Sequence, residues 1–148
     1  MSEHRSVDVE LLAVGAGPSN LGLAVALEEL APEVAANALL IDRNTSIEWQ
    51  PGMLMTWATS QVSFLKDLVT QRDPCSRFSF LNHLFETGRL DEFVNMSTFT
   101  PYQVEFAESL RWVADSLTRV RIQLGCECIA VRPRALRMLR HSPELTTH

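Results

Sequence analysis

Gly15-Ala16-Gly17-Pro18-Ser19-Asn20 is the segment whose residue types and spacing speak most directly of chemistry. Two glycines one residue apart let a backbone turn tightly and approach a diphosphate closely. A helix that starts just after them aims its free N–H groups and positive dipole end at the same anion. Asp42 ends a second apolar run, Ala38-Leu39-Leu40-Ile41, and an acidic residue at the end of the second strand is expected to bond a ribose hydroxyl. Lys66 is the only lysine, against twelve arginines. A lone lysine is usually a solvated surface group, but this one lies among Phe64, Leu65, Leu68 and Val69, where it can offer a compact cationic donor to an anionic ligand.

These residues need elements to position them. Val7, Val9, Leu11, Leu12 and Val14 predict a buried strand that runs straight into the glycine turn. The helix expected over 19–30 is small and apolar on the side that would meet a sheet. The third glycine of the usual pattern is replaced by Asn20. Asp42 lies further along than the usual spacing, so Ala31–Asn37 is expected to be a loop. A glycine turn also occurs in bare structural βαβ units, but the strand, helix and acidic residue around this one favour a dinucleotide.

Beyond Asp42, Arg43–Ser60 lacks periodicity yet holds Trp49, Met53, Met55 and Trp57. A flat cofactor could bury such a loop, and packing over the sheet would do so equally well. Phe78–Phe85 reads as an amphipathic helix that Gly88 ends, and Arg89–Thr100 as a connector. Thr100 and Pro101 mark the start of a helix to about Leu117, with Val104, Leu110, Val113 and Leu117 inward. The alternation over Arg121–Val131 predicts a strand in which Cys126 and Cys128 are small core thiols rather than half a metal site. Four scattered histidines and three cysteines offer no metal-ligand spacing and no disulfide framework.

With 148 residues and 46% hydrophobic content, the chain can build one real core. A net charge of −5 gives no basic field for nucleic acid or anionic lipid. No apolar run reaches the roughly 18 residues of a membrane helix. The polar start, residues 1–6, carries no apolar signal segment and is expected to be disordered, and the expected location is cytoplasmic.

Gly15–Leu21, Trp49-Gln50-Pro51-Gly52-Met53, Gln61–Val69, Arg72-Asp73-Pro74, Phe78–Asn82, Ser97-Thr98-Phe99, Glu105-Phe106 and Leu110-Arg111-Trp112 follow one another in an ordered series. The series resembles the N-terminal part of the flavin-dependent N-hydroxylating monooxygenases. These are the L-ornithine N5- and L-lysine N6-monooxygenases of hydroxamate siderophore biosynthesis, in which asparagine at the position of Asn20 is normal. The resemblance runs roughly from Val7 to Val131.

That resemblance implies FAD, with Gly15, Gly17, Pro18, Ser19 and Asn20 along the pyrophosphate and Asp42 at the adenosine ribose. It implies Trp49, Gln50, Met53 and Gln61 as neighbours of the flavin and Lys66 as partner of the substrate carboxylate. The family hydroxylates the side-chain amine of ornithine or lysine with NADPH and O2. The flavin supplies the difficult chemistry, so no catalytic acid–base residue is implied in this chain. The implied fold is α/β, a partial Rossmann-like FAD-binding domain over 7–131, incomplete relative to the family's two-dinucleotide-domain fold. Residues 132–148 form a basic and polar tail that departs from the family. Members are much longer and place their NADPH motif after the region covered here. The expectation is an N-terminal, FAD-binding piece, with a non-catalytic FAD-binding module or an inactive truncated product as the alternative.

Overall fold

The computed structural model describes residues 7–49, 52 and 55–133. Strands β1 (Leu11–Val14), β2 (Ala38–Asp42) and β3 (Arg121–Leu124) lie side by side in that order, all parallel. α1 (Pro18–Leu30) and α2 (Pro32–Ala36) join β1 to β2. The longer connection from β2 to β3 carries a 3-10 turn (Phe64–Lys66), α3 (Phe80–Glu86), α4 (Leu90–Asn95) and α5 (Gln103–Ser116). Parallel strands joined through helices make this a partial Rossmann-like α/β fold.

Register decides which side chains share a face. Leu11 stands opposite Ala38, Ala13 opposite Leu40, and Leu40 opposite Ile122. These residues and Leu124 form one face, packed with Leu21 and Ala24 of α1 and Leu110 of α5. Small residues at Ala13, Ala24 and Ala38 let helix and sheet approach closely. Alternate positions point the other way. There Leu12 and Val14 remain 52% and 53% exposed, so the second face is open at β1.

Several boundaries depart from the expectations, each for a non-local reason. β1 begins at Leu11, because its partner β2 begins only at Ala38; Val7 is exposed. The expected loop over Ala31–Asn37 contains α2, started by Pro32 and anchored by buried Ala35. The connector Arg89–Thr100 contains α4, whose Phe93 enters a cluster with Phe80 and Leu84. α5 starts at Gln103, after Tyr102, because the Pro101 carbonyl accepts the Ser60 N–H (2.7 Å) and Thr59 bridges Tyr102. β3 ends at Leu124 rather than Val131. β2 stops at Asp42, and Gly125 turns the chain at φ +69°. Cys126 and Cys128 are half-buried beyond that turn, not core thiols in a strand.

Two devices hold the long connection in place. Glu28 of α1 is buried, and its carboxylate accepts the Thr118 N–H (2.8 Å) and O–H and the N–H groups of Arg119 (3.0 Å) and Val120 (3.1 Å). This clasp fixes the entry to β3. On the other side Phe64 packs against Phe80, Phe93 and Phe99, with ring centroids 6.2, 5.4 and 6.1 Å apart.

Candidate functional site

The glycine turn leaves β1 and enters α1. Gly15 has φ +95°, a conformation that glycine adopts without strain, and its N–H donates to the Ile41 carbonyl (2.7 Å). Gly17 differs. Its φ of −78° suits any residue, and among the described residues no atom beyond its chain neighbours lies within 4 Å of where a Cβ would stand. Nothing among the described residues calls for glycine there, whereas a ligand lying against the turn would.

Counting donors shows what such a ligand would meet. The Gly15 and Ala16 N–H groups are taken by the Ile41 carbonyl and by Asp42, Leu21 donates to the Gly17 carbonyl, and Pro18 has no N–H. The N–H groups of Gly17, Ser19 and Asn20 remain at the helix start, where the first turn has no partners of its own. Asn20 also explains how the turn closes without a third glycine. Its side-chain amide donates to the carbonyls of Gly15 (2.7 Å) and Val14 (3.1 Å).

Asp42 stands beside this turn. One carboxylate oxygen accepts the Ala16 N–H (2.7 Å) and the other the Asn44 N–H (2.8 Å). Val14, Gly15, Asp42, Asn44, Glu127 and Cys128 border an open cleft of about 350 Å³. The cleft lies at the carboxyl ends of parallel strands, where such sheets bind ligands. Arg43, Asn44 and Glu127 carry no site expectation from the sequence, and Cys128, expected as a core thiol, instead borders this cleft. What places all four at the cleft is their position just past the second and third strands.

The remaining candidates lie on other segments. Trp49 is half-buried and meets Phe106 edge to face at 5.2 Å. Gln50 and Met53 lie outside the described residues, as do residues 1–6 and 134–148. Gln61 is exposed, beside Ser60. Lys66 is exposed at the end of its 3-10 turn and forms no ion pair among the described residues. The structure therefore brings the glycine turn and Asp42 to one cleft, and sets Gln61 and Lys66 apart from it.

The turn that carries Lys66 is nonetheless firmly seated. Asp67, which sequence reasoning passed over, accepts the N–H groups of Val69 (3.0 Å), Thr70 (2.7 Å) and Phe80 (2.7 Å) and the Thr70 O–H (2.8 Å). Leu68 lies against α1 at Gly22, where a Cβ would stand 3.8 Å from the Leu68 carbonyl oxygen. Among the described residues no cluster of His, Cys, Asp and Glu could hold a metal, and no helix is long and apolar enough to cross a membrane.

Comparison with known proteins places these features in context. The family model for L-lysine 6-monooxygenase/L-ornithine 5-monooxygenase matches residues 8–143. The L-ornithine N(5)-monooxygenase of Burkholderia cepacia is 49% identical over 112 residues, 76% of this chain and 25% of that protein. The ornithine N-hydroxylase KtzI of Kutzneria sp. 744, solved with reduced FAD, NADP+ and L-ornithine, superposes with a TM-score of 0.79 at 44% identity. That match covers 88% of this chain and 30% of KtzI. The cadaverine monooxygenase DfoA of Erwinia amylovora, solved with FAD, gives 0.69 at 32% identity over 80% of this chain and 27% of DfoA. The chain thus spans between 25% and 30% of the length of these relatives.

Proposed function

We propose, because the chain belongs to the L-lysine 6-monooxygenase/L-ornithine 5-monooxygenase family, that it forms the FAD-binding part of an enzyme that hydroxylates the side-chain amine of L-ornithine or L-lysine, with NADPH and O2. The observation that carries this reading is the empty shoulder at Gly17, next to three N–H groups without acceptors among the described residues. A cradle of that kind fits a diphosphate on a helix N-terminus.

FAD, when bound, supplies the electron transfer and the oxygen activation. The chain's own work is to bind and orient. The N–H groups of Gly17, Ser19 and Asn20 donate to the pyrophosphate, and the start of α1 offsets its charge. Asp42 keeps free lone pairs on both oxygens for the hydroxyls of the adenosine ribose. Lys66, an exposed cation with no ion pair among the described residues, serves the α-carboxylate of the amino acid. Trp49, Gln50, Met53 and Gln61 are the proposed neighbours of the flavin. The cytoplasm is the proposed setting.

Titration of the purified chain with FAD and with NADPH tests the cofactor assignment. FAD is expected to bind more tightly, and tighter binding of NADPH overturns the reading. Substrate placement is tested in a fusion of this chain to the remaining region of the Burkholderia relative. There Lys66→Ala is expected to raise the KM for the amino acid and leave FAD content unchanged. The 148 residues by themselves are expected to form no N-hydroxylated amino acid. Its detection by mass spectrometry would refute the proposed division of labour.

A further inference from the structure

We propose that Asp42 is a positioning residue, which sets the shape of the glycine turn and of the cleft before any cofactor arrives. The inference takes FAD from the reading above only as a probe. Both carboxylate oxygens of Asp42 are engaged within the protein, one by Ala16 N–H at 2.7 Å and the other by Asn44 N–H at 2.8 Å. The first bond crosses from the end of β2 to the turn that follows β1. The second fixes the chain just beyond β2.

The backbone around Asp42 extends the same tie. The Ile41 carbonyl accepts the Gly15 N–H (2.7 Å), the Asp42 carbonyl the Cys126 N–H (2.8 Å), and the Asn44 carbonyl the Gly125 N–H (2.8 Å). Asp42 therefore stands where all three strand ends meet. Its side chain reaches toward β1 and its main chain toward the segment after β3. Residues from all three places border the cleft, so one aspartate sets both of its walls.

The residue type matters. Two backbone N–H groups need two acceptors, and only an ionised carboxylate offers an acceptor at each terminal atom. An asparagine would present its own NH2 to one of them. Holding Ala16 N–H also removes it from the donors offered to a ligand, which leaves Gly17 onward for that task. It follows that the contribution of Asp42 to cofactor affinity survives removal of the ribose hydroxyls. A residue that only touched the ribose would lose its contribution with them.

Two measurements on the full 148-residue chain decide the matter. The first is amide hydrogen exchange by NMR without ligand. Ala16 is expected to exchange at least roughly tenfold more slowly than an open amide, and Asp42→Ala, which leaves no acceptor, to abolish that protection. An unprotected Ala16 amide in the unaltered chain overturns the proposal, and this readout needs no variant to fold. The second compares Asp42→Asn with the parent for FAD and for an analogue lacking both hydroxyls of the adenosine ribose. A loss of about tenfold is expected with the analogue, and a loss at least as large with FAD. A loss seen with FAD and absent with the analogue makes Asp42 a ribose ligand only, and overturns the proposal. A chain that binds no FAD yet protects its Ala16 amide supports the positioning role and refutes the cofactor reading.

Discussion

The sheet side and the ring side of this molecule are held by different means. Around the glycine turn, side chains are small and the ties are carboxylates that catch backbone amides: Asp42 at the turn and Glu28 at the entry to β3. Around Lys66, ring packing and one carboxylate share the holding. Phe64, Phe80, Phe93 and Phe99 pack together, and Asp67 adds one carboxylate to that cluster. A cradle for an anion must keep backbone amides bare, so it has no room for large side chains and relies on directed bonds. A lysine with the ligand role proposed for Lys66 would need only a stiff base beneath it. The sheet side is therefore held by carboxylates on backbone amides, and the ring side by packing that one carboxylate supports.

The sharpest way to break this contrast is to remove the polar tie on the ring side. Asp67→Ala strands three backbone N–H groups and should cost about 3 kcal/mol in urea unfolding. A cost under about 0.5 kcal/mol would mean that the rings alone hold the Lys66 turn. Next comes Glu28→Gln, expected to cost about 2 kcal/mol at neutral pH. Burial raises the affinity of Glu28 for a proton, but the bonds from Thr118, Val120 and Arg119 outweigh it and leave its pKa below the ordinary 4.5. The stability that Glu28 adds is thus complete above pH 4.5 and is lost as pH falls below it. Glu28→Gln should flatten that acid limb, and an unchanged limb would remove Glu28 from the account.

His83 gives the ring side a different acid window. It is buried against Trp112, and neither ring nitrogen has a hydrogen-bond partner among the described residues. Burial, and then the nearby Arg89 charge, hold its pKa below the ordinary 6.5, against a weaker opposite pull from Glu108. The unfolded chain takes up a proton below pH 6.5 that the folded chain refuses. Stability should fall by up to about 1.4 kcal/mol per pH unit until the folded value is reached. His83→Leu should remove this slope. Acid is then expected to loosen the ring side before the sheet side, and simultaneous loss in pH-dependent hydrogen exchange would erase the distinction. The smallest effect belongs to Lys66→Ala, which should change stability by less than about 0.5 kcal/mol, since the exposed ammonium ties nothing down. A larger loss in thermal unfolding would make Lys66 part of the base rather than its cargo.

Local rules made much of this legible in the sequence. The strand–turn–helix start and the end of β2 at Asp42 follow from residue types within one short stretch. What was not legible depends on distant partners. The bond from Asp42 to Ala16 crosses 26 positions, and those from Glu28 to Thr118–Val120 cross 90 or more. Pro101 looks like a helix start until Ser60 claims its carbonyl. The alternation beyond Leu124 looks like strand until β2 runs out. His83 reads as one more polar residue on an amphipathic helix, yet it is buried, with Trp112, brought over by α5, packed against its ring.

The exposed Lys66 also makes the chain divisible. A lysine-specific protease has a single target here, the Lys66–Asp67 bond. One cut there would part β1, α1, α2 and β2 from α3, α4, α5 and β3. The severed pieces would still share the β2–β3 ladder, the grip of Glu28 on Thr118 to Val120, and the bonds of Glu29 to Arg72 and Ser76. The fold thus carries a natural seam, along which it could be assembled from two separately made, separately labelled halves.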